Sequence, residues 1–436
     1  MIMGVVADDI TGSNDIGIMF AKAGCLAHIY AYPAPGAYAL ARSRPNAGAY
    51  PAPDICILDT NSRLDLASLA YAKVYAATRE LQAAGCRHFF NKTCSVFRGN
   101  IGVEFDAMLD ALGMDFAVVV LGFPKNGRIT RAGIHYVHGK RLEESEFRND
   151  PIHPMHSSNL VEILQSQTQR KVGLISHTWV SQGVQVLQAR LDQMRPDYQY
   201  VILDVLDQPS LATIAQAVQD VPVLCGSSAL AEELPQAWEF SGRQRSRSSL
   251  HRHPDLGIPV ISGSLMPQSA AQVRYLHAQG TPVLELDPLR LFEPAARAAE
   301  VARLVMESLA AMRSGFDIIL HSPYNPDGVE RTRQAGQQAG LSVNQIARQV
   351  SETLAEAAAQ VLETSGQNRL VVAGGETSAA VCARLGVDGL EVWQEIQPGL
   401  PSCLSLTGPA MLLVLKSGSF GSPEFLQQAI AHLREQ

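Results

Sequence analysis

The sequence predicts an α/β protein of two domains, each with a mainly parallel β-sheet flanked by helices. Short apolar runs alternate with longer amphipathic runs along the 436 residues, which is typical of a doubly wound parallel sheet. The chain is too long for one ordinary core, so two domains are expected. The stretch SGRQRSRSSLHRHPD at 241–255 is polar and basic without an apolar face, and it predicts a linker between domains at 1–240 and 256–436.

The composition narrows the class of function. Hydrophobic residues make up 46% and charged residues 18% of the chain, as in folded proteins that bury a core. The net charge of −7 disfavours a nucleic-acid surface as the main function. No apolar run is long enough to span a bilayer and the N-terminus has no export signal, so we expect a cytoplasmic protein. The seven cysteines form no C-x-x-C pair, which favours reduced thiols and no structural zinc.

The first predicted strand ends in two adjacent acids. The apolar run at 2–7 predicts a buried strand, Asp8 and Asp9 follow it, and a helical pattern then ends before Gly24. Open α/β sheets bind ligands at the carboxyl ends of their strands, where two carboxylates can orient hydroxyls, accept a proton or hold a cation. The alternative is that the acids only cap the helix. One cap needs one acid, so a functional role is favoured.

Basic residues follow the next strands of this domain. The predicted strand at 55–58 leads to Arg63, and the strand at 88–90 leads to Lys92 and Arg98. Because parallel strands end at one edge of a sheet, acids and bases should gather there, an arrangement that suits a small polyhydroxy anion. A surface salt bridge would explain any one of these residues, but it is a poor explanation for three strand ends together.

The rest of the first domain continues the alternation after one interruption. A loop is predicted at 33–53, and the glycine-bearing segment at 124–160 predicts an ordered loop or hairpin. It contains His153 and His156 in an H-x-x-H spacing, but the neighbouring prolines exclude a helix, so solvated histidines are favoured over a metal site. The further elements predicted are helices at 66–84, 103–112, 184–193 and 211–218, and strands at 27–32, 116–121, 172–175, 200–204 and 223–225.

Three glycine-bearing turns follow strands of the second domain. They are GSLMP at 263–267, GGETS at 374–378 and KSGSFG at 416–421. Glycine lets backbone N–H groups approach an anion, and a following helix N-terminus adds partial positive charge, so a phosphate or nucleotide site is predicted. Lys416 could bind a phosphate or be a snorkelling lysine at a strand end. The elements predicted are strands at 259–262, 283–286, 317–321, 370–373 and 410–415, and helices at 270–278, 295–312, 342–362 and 379–385.

These patterns favour phosphoryl transfer in a cleft between the two domains, because one half suits a small anion and the other suits phosphates. One alternative is a phosphatase with an aspartyl nucleophile, but that chemistry uses acids two residues apart, whereas Asp8 and Asp9 are adjacent. Another is a non-catalytic sensor of sugar acids, which the glycine-rich second half disfavours.

The chain resembles the four-carbon acid sugar kinases over nearly its whole length. The resemblance rests on ADDITGSND at 7–15, TNSR at 60–63, KTCSVFRGNIG at 92–102, GGETS at 374–378 and LKSGSFG at 415–421. It implies that the N-terminal domain binds an acid sugar and the C-terminal domain binds ATP with Mg²⁺. It also implies transfer to the terminal C4 hydroxyl of D-threonate, D-erythronate or a 3-oxo-tetronate. The SND variant, the FRGNIG ending and the acidic loop before Asp150 are closest to the D-threonate kinases.

The resemblance also implies the site residues. In the resulting hypothesis Lys92 and Arg63 hold the substrate carboxylate, and Asp9 or Asp8 takes or orients the C4 proton. The substrate contacts implied are Asp8, Asp9, Arg63, Lys92, Thr93, Cys94, Ser95 and Arg98, and the ATP contacts are Ser264, Gly374, Gly375, Glu376, Thr377 and Gly418. No residue is assigned to a metal, and whether the chain forms a homo-oligomer is left open.

Two positions depart from the family pattern. Cys94 stands where the family usually has an Asp, so a fixed negative charge is lost. The family's G-S-x-S turn ends here in Met266, which removes one hydroxyl contact to ATP.

Overall fold

The computed structural model describes residues 2–32, 34, 52–150, 152–240, 242, 250 and 255–436. The chain divides into two compact units, Met1–Arg245 and Ser246–Gln436. Most of the predicted loop at 33–53 and most of the predicted linker at 241–255 lie outside the described residues.

The first unit is built on a parallel sheet of eight strands within the described ranges, as the alternating pattern predicted. The strands of the unit are β1 (Met3–Ala7), β2 (Ala27–Ala31), β3 (Ile55–Asp59), β4 (His88–Lys92), β5 (Ala117–Val120), β6 (Arg128–Arg131), β7 (Ile134–Val137), β8 (Lys140–Arg141), β9 (Val172–Ile175), β10 (Tyr200–Leu203) and β11 (Val223–Gly226). The parallel sheet has the order β2-β3-β1-β4-β11-β5-β10-β9, and β6, β7 and β8 form a small antiparallel sheet.

Helices cover the parallel sheet of the first unit. They are α1 (Ile10–Lys22), α2 (Ala67–Ala83), α3 (Ile101–Leu112), α4 (Leu160–Gln165), α5 (His177–Val180), α6 (Val184–Met194), α7 (Gln208–Val218) and α8 (Leu234–Ala237). Single 3₁₀ turns occur at Pro124–Asn126, Leu142–Glu144, Glu146–Asn149 and Ser228–Glu232.

The strands of this sheet are continuous apolar runs because both faces are covered. β1, β5 and β10 are buried along their whole length. The register aligns Ala7 of β1 with Asp59 of β3 on one side and with Lys92 of β4 on the other. Asp8 is the next residue after Ala7. The predicted acidic and basic residues therefore follow, or lie at, strand ends that are aligned along one edge of the sheet.

The second unit contains five parallel strands and an antiparallel pair among its described residues. Its strands are β12 (Pro259–Ser262), β13 (Val283–Glu285), β14 (Ile318–His321), β15 (Arg369–Ala373), β16 (Gly389–Gln397), β17 (Leu400–Ser405) and β18 (Leu412–Lys416). Their order is β13-β14-β12-β15-β18-β17-β16, parallel from β13 to β18 and antiparallel beyond. The helices are α9 (Pro267–Ala278), α10 (Pro294–Arg313), α11 (Pro326–Gln338), α12 (Val343–Ser365), α13 (Gly375–Leu385) and α14 (Phe425–Glu435), with a 3₁₀ turn at Pro288–Arg290.

The structure adds elements that the sequence analysis did not predict. β16 and β17 pair across a turn at Pro398 and Gly399, where only a connecting segment was expected. The helices α4, α11 and α14 were also not predicted. No helix within the described ranges is both long and apolar enough to cross a membrane.

Candidate active site

The turn after β1 gives its two acids different structural roles. Asp9 is the N-cap of α1, because its Oδ1 accepts the Gly12 N–H at 2.6 Å and its Oδ2 accepts the Thr11 hydroxyl at 3.1 Å. The capping alternative therefore holds for Asp9. In the described part of the chain, the Asp8 carboxylate accepts no hydrogen bond from this turn, although Asp8 is also buried. The second acid needs another explanation.

Arg63 binds both aspartates. Its Nε and Nη2 each donate to one carboxylate oxygen of Asp8 at 2.8 Å, and its Nη1 donates to Asp9. This planar two-point contact is the geometry that a guanidinium makes with a carboxylate. Three of the five guanidinium N–H groups are thus engaged within the protein. Arg63 could bind a substrate carboxylate only with the other two.

Lys92 belongs to the same cluster and lies close to Asp15 and to the turn at Gly12. Its Nζ is buried, lies 3.5 Å from Asp15 Oδ2 and donates to the Thr93 carbonyl at 3.1 Å. A Cβ at Gly12 would lie 2.7 Å from Asp9 Oδ1 and 3.0 Å from Lys92 Nζ, so glycine is required for the turn to approach both charges.

The charges of this cluster shift the acids in opposite directions. Burial alone would raise the pKa of Asp9, but the charges of Arg63 and Lys92 bring it below its usual value. Burial raises the pKa of Asp15, and the charge of Lys92 only partly opposes this. Asp15 was not predicted from the sequence, because it lies within α1 and nothing local marks it as a partner of Lys92.

A second group of contacts holds Arg98. Its Nε donates to Cys94 Sγ at 3.3 Å, its Nη1 donates to Asp150 Oδ2 at 2.6 Å, and its guanidinium lies 5.1 Å from the centre of the Phe147 ring. Burial alone would raise the pKa of Cys94, but the charges of Arg98 and Arg63 bring it below its usual value. Cys94 is thus biased towards the thiolate, which would restore a negative charge where the family usually has an Asp.

The two hydroxyl residues near Cys94 differ in their partners. Ser95 Oγ accepts from Arg128, whose guanidinium also lies over Phe147. The buried Thr93 Oγ1 has no hydrogen-bond partner within the described part of the chain, so it can still bind a ligand group. Arg128, Phe147 and Asp150 all come from the segment at 124–160, which was predicted as an ordered loop or hairpin without any of these three residues being assigned to the site.

Two further acids line the base of the cluster. Burial and then the charge of Asp9 raise the pKa of Asp59 to about 8. Burial and then the charge of Asp8 raise the pKa of Glu104 to about 8, and Glu104 Oε1 accepts from Ser62 Oγ at 2.7 Å. Both acids are therefore protonated at neutral pH, which limits the negative charge beside Asp8 and Asp9.

The H-x-x-H pair is divided between two environments. His153 is half-buried, its backbone N–H donates to Asp150 Oδ1 at 2.8 Å, and burial lowers the pKa of its ring. His156 is exposed. The prediction of two solvated histidines is therefore wrong for His153, because the loop folds back onto Asp150. No group of three or more His, Cys, Asp or Glu side chains placed to hold a metal ion occurs among the described residues.

In the second unit the structure brings the three glycine turns together. They follow β12, β15 and β18, which are neighbours in the parallel part of the sheet. A Cβ at Gly263 would overlap Thr377 Oγ1, and a Cβ at Gly418 would overlap Ser264 Oγ. Gly374 has φ of 120°, a conformation that residues with a side chain rarely adopt. The turns thus contact one another through positions that only glycine can occupy.

Two helices begin at these turns without a side-chain cap. They are α9, which starts after Met266, and α13, which starts after Gly374. Their first-turn N–H groups and the partial positive charge of each N-terminus favour an anion. Ser264 Oγ accepts the Met266 N–H at 3.2 Å, and Thr377 Oγ1 lies 3.3 Å from Ser351 Oγ. Gly375 and Glu376 form the first turn of α13, where Glu376 is half-buried.

Lys416 is not a snorkelling lysine. Its side chain is completely buried, and its Nζ donates to Ser269 Oγ at 3.0 Å and to the Gly418 carbonyl at 3.3 Å. Burial lowers the pKa of Lys416 to about 7. Gln272 holds the same turn by donating to the carbonyls of Phe420 and Gly421 at 3.0 and 3.1 Å.

Comparison with known families divides the chain as the chemistry does. Residues 3–234 match the family described as "Sugar-binding N-terminal domain", and residues 260–426 match "Nucleotide-binding C-terminal domain". Curated relatives from Cupriavidus necator and Burkholderia multivorans, both named 3-oxo-tetronate kinase, are 33% and 34% identical. Each alignment covers 99% of this chain and 97% of the relative.

Solved structures of similar proteins align with nearly the whole chain. A protein from Salmonella typhimurium LT2 is 28% identical with a TM-score of 0.78, and 99% of each chain is covered. A Haemophilus influenzae protein of the family DUF1537 is 27% identical with a TM-score of 0.70, covering 99% of this chain and 100% of the other.

Proposed function

Because the chain belongs to the four-carbon acid sugar kinase family, and is therefore a sugar-acid kinase, we propose that it transfers the γ-phosphoryl group of ATP to the C4 hydroxyl of a 3-oxo-tetronate. The names of the curated relatives support this substrate better than D-threonate, which the sequence motifs favoured, or D-erythronate. The observation that carries the proposal is the cluster of buried Asp8, Asp9 and Lys92 with half-buried Arg63, in the unit that matches a sugar-binding domain.

We assign the substrate carboxylate to Arg98 in place of Arg63. The Nε and Nη1 of Arg98 are bound within the protein, whereas its Nη2 has no partner among the described residues. Cys94, Asp150 and the Phe147 ring fix the plane of this guanidinium, so its free edge is presented in one orientation. Lys92 supplies a second positive charge, and the Thr93 hydroxyl supplies a donor for an oxygen of the acid.

We assign the C4 hydroxyl to Asp8. The oxygens of Asp9 already accept from Gly12, Thr11 and Arg63, and its lowered pKa makes it a weak base. Among the described residues, only Arg63 donates side-chain hydrogen bonds to Asp8. In phosphoryl transfer, orienting the acceptor oxygen matters more than removing its proton early. A carboxylate held in place by Arg63 is suited to orient the C4 hydroxyl. Arg63 is then a positioning residue.

The glycine turns of the second unit fit the phosphates of ATP. Positions where a Cβ would overlap a neighbour, at Gly263 and Gly418, allow the backbone to approach, and the N-termini of α9 and α13 provide N–H donors. Mg²⁺ bound to these phosphates would neutralise charge on the transferred group, and it normally needs only one or two protein carboxylates. Glu376, in the first turn of α13, is the acid of these turns that would hold it.

A coupled assay of ADP release tests the proposal. Purified protein with ATP and Mg²⁺ should turn over 3-oxo-tetronates faster than D-threonate or D-erythronate, and Asp8→Asn should lower kcat by 10²-fold or more, on the order of a lost orienting group. Arg98→Met should raise KM for the acid, whereas the exposed neighbour variant Arg148→Met should not. Phosphate release without nucleotide would instead indicate a phosphatase. Acid binding in calorimetry with no ADP formed would indicate a sensor.

A further inference from the structure

The second unit buries one lysine side chain completely. Lys416 is the last residue of β18 and the only lysine after Lys171 in the sequence, yet its side chain has no exposed surface. A lysine is almost never fully buried without an acidic partner, because removing the charge from water costs several kcal/mol, on the order of 2–7 even for neutral polar groups. No ion pair involves Lys416 within the described residues.

The hydrogen bonds of this ammonium lead to the phosphate-binding turns. Nζ donates to Ser269 Oγ, in the first turn of α9, and to the carbonyl of Gly418. Ser269 Oγ in turn donates to the same carbonyl at 2.9 Å. Lys416 and Ser269 thus direct the Gly418 carbonyl inwards, away from any phosphate bound at the turn. Two of the three ammonium N–H groups are used, and the third has no acceptor among the described residues.

The elements around Lys416 bring no compensating charge to it. β17 carries no ionisable acid or base besides Cys403, and the turn at 417–421 carries none. The charged residues of the other elements around it are Arg369 on β15, Glu376 and Arg384 on α13, and Arg274 on α9. None of them shifts the pKa of Lys416, since burial is its one cause. A phosphate bound at the glycine turns would bring an anion close to this side chain, because Nζ contacts the Gly418 carbonyl of one of these turns.

We propose that Lys416 takes up one proton from solvent when the phosphates of a nucleotide bind at the glycine turns. The inference rests on the proposed function in taking that ligand to be ATP or ADP. In the free protein near pH 8 the lysine is mainly neutral, and the bound phosphates restore its ordinary preference for the charged form. Lys416 is a positioning residue, because it contacts the Gly418 turn and not the nucleotide. Its charge depends on pH, so it makes nucleotide affinity depend on pH.

Calorimetry measures the proton directly. ADP with Mg²⁺ is titrated into wild-type protein at about pH 8 in two buffers of different ionisation enthalpy, where the terminal phosphate is already ionised. We expect close to one proton taken up for each nucleotide bound, and affinity that falls up to roughly tenfold per pH unit between about pH 8 and 9. Lys416→Met should abolish the uptake and flatten the pH dependence. Lys171→Met, which removes an exposed lysine of the first unit, should change neither.

Carbon-13 NMR of protein labelled at lysine Cε provides a readout that needs no folded Met variant. One of the seven lysine signals should titrate near pH 7 without nucleotide and more than one pH unit higher with it. Lys416→Arg, which keeps the charge and the bulk, identifies that signal by its loss. Nucleotide binding without proton uptake, or a signal that nucleotide does not move, would overturn this inference alone. A wild-type protein that binds no nucleotide would overturn the proposed function as well.

Discussion

Replacing Arg63 by Met tests whether the aspartate pair depends on one guanidinium. The substitution keeps most of the side-chain volume but leaves two carboxylates without their shared cation, and these are only 1% and 8% exposed. Removing one partner of a buried ion pair costs about 3–5 kcal/mol, because the remaining charge is left uncompensated. A unit of this size loses about 2–4 °C of midpoint per kcal/mol, so the first unit should melt roughly 6–20 °C lower.

Arg170→Met is the matched control for this loss. Arg170 also bridges two aspartates, Asp106 and Asp110, at 2.8 and 2.6 Å, but its side chain is 24% exposed and Asp110 is 39% exposed. Water screens such a pair, so the expected cost is about 1 kcal/mol or less. Calorimetry gives the midpoints, and hydrogen exchange of peptides from β1 and α1 assigns the loss to this turn.

A further variant separates the charge from the packing. Asp8→Asn added to Arg63→Met removes one uncompensated charge, so the double variant should recover part of the lost stability although it has one more substitution. If Arg63→Met costs no more than Arg170→Met, or if Asp8→Asn makes it worse, the guanidinium does not neutralise the pair and our assignment of Arg63 as a positioning residue is wrong.

Three more predictions concern the glycine turns, the thiol and a buried acid. Gly418→Ala should raise KM for ATP about tenfold, which corresponds to about 1.4 kcal/mol, because the added Cβ would overlap Ser264 Oγ. The control Gly340→Ala, whose added Cβ would meet no neighbouring atom, should lower stability only. Cys94→Ala should raise KM for the acid several-fold by releasing Arg98, and Cys94→Asp should restore it; equal values for the two variants in steady-state kinetics would count against a thiolate role. Glu104 has a folded pKa raised to about 8, so its contribution to stability is complete below its usual pKa and is lost as the pH rises through about 8. In urea unfolding, the free energy of unfolding of Glu104→Gln minus that of wild type should therefore be most favourable at about pH 8 to 9. This difference should fall by up to about 1.4 kcal/mol for each pH unit towards acid. The variant Glu144→Gln, at an exposed position, should show no such trend.

The parts of the fold that the sequence predicted are those with a local signal. The run VGLI at 172–175 was predicted as a strand and forms β9 with those bounds, because a short apolar run of which three of four residues are buried leaves little ambiguity. The apolar residues of α14 also recur at helical spacing, with Phe425, Ala429 and Leu433 buried, so this helix could have been predicted. The polar helix α11 buries only three residues, and its pattern alone gives little indication of a helix.

The residues of the candidate site also divide into those with a local signal in the sequence and those without one. Asp8, Asp9, Arg63 and Lys92 could be predicted together because each lies at or shortly after the carboxyl end of a strand of one parallel sheet, and the register places these strand ends at one level. The partners that complete the cluster come from elsewhere in the chain. Asp15 lies inside a helix, and Asp150 comes from a segment whose path depends on a small antiparallel sheet. Their proximity depends on tertiary packing, which no spacing in the sequence encodes.

The two units use opposite means to hold charge, and this difference should appear in the pH dependence of the reaction. In the first unit the charges of Arg63 and Lys92 outweigh burial and keep the pKa of Asp9 below its usual value, which favours the ionised carboxylate. In the second unit burial lowers the pKa of Lys416 to about 7, so in the free protein this lysine loses its positive charge above that pH. Nucleotide binding should restore the charge. The alkaline fall of kcat/KM should therefore lie in KM for ATP and be relieved at saturating nucleotide, because kcat/KM reports ionisations of the free enzyme and kcat reports those of the bound one. A fall of kcat itself over the same range, at saturating ATP, would mean that the alkaline group belongs to the sugar side of the reaction.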